Sequence, residues 1–169
     1  MALRHDIAAR LIQAGARWVT RPGRDLRFAG TDLPPPETIR ADTEAGSVTL
    51  HVYRPPGAGD DAPVYINFHG GGFVMRHPEQ DDPVCRHLAA KLGCVVLNVD
   101  YDVAPQARFP AAATQAQAVC WWAAFAGRKL GWDGKRIAIG IRYSSGRLYA
   151  VNLHCSPWYT NTKQPIPRP

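Results

Sequence analysis

Cysteine is scarce and never closely paired. Cys85, Cys94, Cys120 and Cys155 form no Cys-x-x-Cys, which argues against a zinc site, and the first three lie in apolar runs where a thiol packs as a small hydrophobe. Free thiols in a reducing compartment are expected, and with them a cytoplasmic location. The start of the chain lacks a continuous apolar run, because Arg4, His5, Asp6, Arg10 and Arg17 interrupt it; neither a secretion signal nor a membrane span is expected there. No nucleic-acid-binding module accompanies the net charge of +6, so the arginines near the N-terminus read as a solvated helix face rather than a contact for nucleic acid or an anionic membrane. Internal repeats are absent. After Gly146 there is no Asp or Glu, and His154 is the one histidine.

What is present fits a single globular domain: 169 residues, 46% apolar and 20% charged. Leu3, Ile7, Leu11, Ala14 and Trp18 recur at helical spacing up to Pro22, forming a stripe that needs a surface to lie on. A connector with Pro34, Pro35 and Pro36 follows. Val48, Leu50 and Val52 then alternate with Thr49, His51 and Tyr53 as in a half-buried strand. Pro63 to Phe68 and Cys94 to Asp100 read as interior strands of a parallel sheet. Between them Val84, Leu88 and Leu92 mark a helix closed by Gly93. A second helix from about Ala111 to Leu130 turns Ala112, Ala116, Val119, Trp122 and Ala123 to the sheet, and a strand from Arg136 to Gly140 follows. This alternation predicts an α/β fold with about five strands in a mostly parallel sheet and flanking helices. Residues 1–36 read as a helical segment with its linker, 37–146 as the α/β part, and 147–169, rich in proline toward the end, as an unfolded tail.

The sharpest local signal is His69-Gly70-Gly71-Gly72-Phe73 at the end of an apolar strand. Three glycines in a row remove every Cβ from a stretch of main chain, which lets a ligand approach its amides closely. In acyl transfer that ligand is a carbonyl oxygen acquiring negative charge; the alternative is a glycine-rich turn without chemistry. The second signal is Asp100-Tyr101-Asp102-Val103-Ala104-Pro105 followed by Arg108-Phe109-Pro110-Ala111-Ala112. Together these segments resemble the hormone-sensitive-lipase family of α/β-hydrolases. The resemblance covers residues 37 to 146 and implies a carboxylic-ester hydrolase with a serine acyl-enzyme mechanism. It implies further that the amides of Gly71 and Gly72 form most of an oxyanion hole, with His69 and Gly70 supporting the loop and Asp100 and Tyr101 tying the second segment to its neighbours. The N-terminal helix would belong to the cap over the acyl pocket. Short to medium acyl esters are the implied substrates, with no metal and no cofactor. His77 and Asp81 read as a solvated helix start with no place in a triad.

In that family a Gly-x-Ser-x-Gly turn carries the nucleophile. Here Arg142-Tyr143-Ser144-Ser145-Gly146 occupies its place. Ser144 matches the nucleophile, the amide of Ser145 would complete the oxyanion hole, and Arg142 stands where a glycine is needed for close packing of strand and helix. The alternative is a polar Ser-Ser-Gly turn. His154 would fall on the helix leaving the elbow, pointing away from the hydroxyl, and the triad acid and base have no candidates downstream of Ser144. The expectation is a truncated or frameshifted esterase with impaired activity. Its rival is a non-catalytic remnant that self-associates through an uncovered sheet edge.

Overall fold

A computed structural model describes residues 2–19, 33–142 and 148–154. In chain order the elements are α1 (Ala2–Val19), β1 (Glu37–Thr43), β2 (Gly46–Tyr53), β3 (Val64–Phe68), a 3-10 turn (Pro78–Asp81), α2 (Asp82–Leu92), β4 (Val95–Asp100), α3 (Ala111–Leu130), β5 (Arg136–Arg142) and β6 (Leu148–His154). The six strands form one sheet in the order β1-β2-β4-β3-β5-β6. Its centre is parallel, β4 to β3 and β3 to β5, as two strands joined through helical crossovers require. The flanks are antiparallel, so the sheet is mixed.

Alternation along the central strands decides which face each helix covers. Val64, Ile66 and Phe68 of β3 and Val95, Leu97 and Val99 of β4 enter one buried cluster with Val119 and Ala123 of α3. Tyr65 and Val96, one residue out of step, enter a second cluster with Cys85 and Ala89 of α2. The two helices therefore lie on opposite faces, which is why both central strands are apolar on both sides. Helix α2 stops at Gly93, whose φ of 62° suits a left-handed cap. Helix α3 ends at Gly131, where Arg54 donates to the carbonyls of Leu130 and Gly131 at 2.7 and 3.2 Å. Cys85 and Cys94 are buried and Cys120 is half-buried, packed among apolar side chains.

Four expectations change. Strand β1 went unseen because Ile39 and Ala41 are its only apolar residues beside the charged Glu37, Arg40 and Asp42; as an outer strand paired only to β2 among the described residues, it keeps those charges in solvent. Residues 148–154 are no part of an unfolded tail: they pair with β5 from Arg136↔His154 to Arg142↔Leu148. The segment holds Tyr149, Val151 and Leu153 at two-residue spacing without proline or glycine, a strand pattern overshadowed by the prolines further on. His154 accordingly lies on a strand, not on a helix. The stripe of α1 finds no surface: Leu3, Ile7 and Leu11 are 73%, 51% and 69% exposed. Helix α1 is held by polar contacts instead, Gln13 donating to the carbonyls of Val74 and Ala104 (2.8 Å each) and Asp6 accepting from Arg108 (2.7 Å).

Close packing after α3 is the most exacting contact between helix and turn. Trp132 is fully buried and its Nε1 donates to the carbonyl of Ala123 at 2.9 Å. A Cβ on Gly134 would run into the carbonyl of Ala124, and one on Gly127 would stand 2.7 Å from the carbonyl oxygen of Trp132. Gly134→Ala is therefore expected to destabilise the fold by about 1–3 kcal/mol, read as a lower urea midpoint. An unchanged midpoint would contradict this packing.

Candidate active site

The glycine loop leaves the C-terminal end of β3 beside the C-terminal end of β4, because the parallel register sets Phe68 opposite Val99. The carbonyls of His69, Gly70, Gly71 and Phe73 are tied back. The His69 oxygen accepts from the Tyr101 hydroxyl at 2.7 Å, and the Gly70 oxygen accepts from His69 Nδ1 at 2.8 Å and Gln80 Nε2 at 2.7 Å. The Gly71 oxygen accepts from the amides of Val74 and Met75 at 3.1 and 3.0 Å, and the Phe73 oxygen from that of Ala104 at 2.8 Å. In a trans peptide the next N–H points opposite to the carbonyl. The amide of Gly71 thus faces away from His69 and Gln80, and that of Gly72 away from the turn at Met75.

Glycine is compulsory at one of these positions by two criteria. Gly71 has a φ of 138°, and a Cβ there would sit 2.7 Å from the carbonyl oxygen of Met75 and 2.9 Å from its Cβ. Gly72 has a φ of 60° with open space around it. Phe73, a bulky residue with a φ of 59°, is in a conformation that ordinary side chains avoid. It is held there by the Ala104 amide, with its ring centre 6.3 Å from that of Tyr101.

His69 is buried beneath this loop, its ring stacked on Tyr101 with centroids 4.3 Å apart. Desolvation pushes the imidazole below its ordinary value, outweighing its bond to Gly70 and the pull of Asp81, Asp100 and Glu79. A neutral ring whose Nδ1 carries the proton suits the bond to the Gly70 carbonyl. Asp100 accepts two bonds from Arg76, at 2.7 and 3.0 Å, and the same guanidinium reaches Asp102 at 3.2 Å. One guanidinium thus pairs with both carboxylates at this edge. Gln115, nearly buried on α3, accepts from the Asp102 amide and donates to its carboxylate, both at 2.8 Å.

Beneath the loop lies a polar network that sequence reasoning missed. Asn67 and Asn98 stand side by side in the parallel register, both buried. Asn67 Nδ2 donates to Asn98 Oδ1 at 2.9 Å and to Asp81 Oδ2 at 3.0 Å, while Asn98 Nδ2 donates to the Pro78 carbonyl at 2.9 Å. The signal was an asparagine inside each of two apolar strands. Asp81 is not solvated, as expected from its place at a helix start; it is fully buried, and His77 pairs with Glu79 at 2.8 Å. The network anchors the turn at Pro78–Asp81, and that turn supplies Gln80 to the glycine loop.

Comparison with known proteins agrees with this arrangement. Residues 65–140, which run from β3 through β5, match the family model described as alpha/beta hydrolase fold. The chain has the α/β-hydrolase fold. It is similar to esterase LipI of Mycobacterium tuberculosis, 40% identical over 115 residues that make up 67% of the chain and 36% of the relative. It is similar also to an acetyl esterase of Salmonella typhi, 36% identical over 57% of the chain and 30% of the relative. Among solved structures it resembles an esterase of Pyrobaculum calidifontis (33% identity, TM-score 0.68, 79% of this chain and 43% of that one). It also resembles EstE1, a thermostable carboxylesterase from a metagenomic library (31% identity, TM-score 0.69, 82% and 46%). The chain spans about a third of the length of the curated relatives it matches.

Of the site residues expected from sequence, His69, Gly70, Gly71, Gly72, Asp100 and Tyr101 come together at one sheet edge. Ser144 and Ser145 lie outside the described residues. No cluster of His, Cys, Asp or Glu suited to a metal occurs among the described residues, and none of the described helices is long and apolar enough to cross a membrane.

Two outcomes test this geometry. Tyr101→Phe deprives the buried His69 carbonyl of its donor and is expected to cost about 1–3 kcal/mol in urea denaturation. For His69, the unfolded chain takes up a proton near pH 6.5 while the folded ring resists it; stability from this group is present above that value and is lost as the pH falls below it. The Hε1 resonance of His69 should therefore stay at its neutral position through pH 6.5. Half-titration at that pH would show an unburied ring.

Proposed function

We propose that this chain carries the charge-stabilising half of a carboxylic-ester hydrolase acting on short to medium acyl esters. In this reading the amides of Gly71 and Gly72, joined by that of Ser145, receive the negative charge that grows on the ester oxygen. Ser144 is the nominal nucleophile. The observation that carries the reading is the row of carbonyls tied back at His69, Gly70 and Gly71, which turns the following amides the other way. The names of the matched esterases support the same chemistry.

A serine hydroxyl attacks an ester at neutral pH only with a base to take its proton. After Ser144 the sequence holds one histidine and no carboxylate. In the antiparallel register His154 lies opposite Arg136, the first residue of β5, whereas Ser144 follows Arg142 at the other end. Six residue steps of about 3.3 Å separate those ends, roughly 20 Å. The 169-residue polypeptide by itself is thus a poor catalyst. This register also supports a second reading, in which the polypeptide acts through association: β6 pairs on one side only among the described residues and holds no proline and no full charge to block an added strand.

Fluorophosphonate labelling and p-nitrophenyl butyrate hydrolysis separate the two. The purified 169-residue chain is expected to show no labelling of Ser144 and no turnover above buffer. Hydrolysis abolished by Ser144→Ala would establish a working triad and overturn the second reading.

A further inference from the structure

Helix α1 is docked the wrong way round for a helix of a globular core. Its anchors Asp6 and Gln13 are seven residues apart, two turns along one side, and reach Arg108, the carbonyls of Val74 and Ala104, and the side chain of Gln106. At 100° per residue the apolar stripe of Leu3, Ile7 and Leu11 is turned about 110° from that side. All three residues are more than half exposed. Arg4 and Arg10, both exposed, lie about 60° to either side of the stripe. Asp6 is the single acidic residue of the helix, and Arg108 neutralises it. Two further exposed apolar side chains sit beside the anchors: Phe109 (92%) next to Arg108, and Phe73 (63%) next to Val74.

We propose that this surface docks on an anionic lipid surface. An apolar stripe with one arginine on either side matches acyl chains below a layer of negative headgroups, because the arginine stems reach outward to phosphate while leucine and isoleucine enter the hydrocarbon boundary. A protein partner or a second copy of this chain would have to bring acidic residues to face Arg4 and Arg10, and the exposed face of α1 offers none. The solvated face expected from sequence accounts for the arginines but not for the leucines between them. This interaction is separate from the chemistry at Ser144 and stands or falls without it.

The test is co-sedimentation of the full chain with phosphatidylcholine vesicles, with and without 30 mol% phosphatidylglycerol. Binding is expected only with the anionic lipid. Neutralising Arg4 or Arg10 with glutamine should weaken it about fivefold each. Ile7→Asp should weaken it at least about tenfold, whereas Leu92→Asp, at an exposed position on α2, should leave it unchanged. Circular dichroism of the variants should match that of the parent, since the changed side chains lie off the anchored side. Absence of binding, equal binding to uncharged vesicles, or equal loss with Leu92→Asp would overturn the proposal. So would a dimer in sedimentation equilibrium that Ile7→Asp dissociates, which would assign the stripe to a second copy.

Discussion

Parallel pairing of β3 with β4 brings two strand ends out together at one edge of the sheet, with Phe68 opposite Val99. Both segments that leave there are short of freedom. The Tyr101 hydroxyl holds the first residue of the glycine loop, Arg76 reaches across to Asp100 and Asp102, and the Phe73 carbonyl takes the Ala104 amide. Without the parallel register none of these partners would be within reach. The same register sets Asn67 beside Asn98, so the polar network under the loop is a second product of one pairing.

The loop is fixed from its carbonyl side, which leaves its amides as the available polar groups. In the function proposed above, such an arrangement would receive a negative oxygen without reorganising when a ligand arrives. Its cost is visible in Phe73, a bulky residue at positive φ, and in Gly71, where no side chain fits. Burial of His69 belongs to the same design: desolvation favours the neutral ring, which suits its Nδ1 bond to the Gly70 carbonyl.

Much of this was legible from residue order. The three glycines, the apolar strands on either side of α2, and the cap at Gly93 rest on local rules of spacing and backbone freedom, and those rules operate within a few residues. Strand β1 was illegible because its three charges mimic a loop. Strand β6 was hidden by the prolines that follow it. Asp81 looked solvated because a carboxylate at a helix start ordinarily is; in the fold it is buried and accepts from Asn67, 14 residues away, which is itself bonded to Asn98.

By itself the sequence determined the α/β class, the order of the elements from β2 to β5, and the place of the glycine loop, since periodicity and glycine conformations are properties of short stretches. Tertiary structure alone decided where the loop's carbonyls point, which side of α1 meets the body, and that His154 lies opposite Arg136, at the far end of β5 from Arg142. Each of these depends on partners far away in the chain, such as Gln13 and Ala104 or Arg136 and His154, and no local pattern encodes a distance between them.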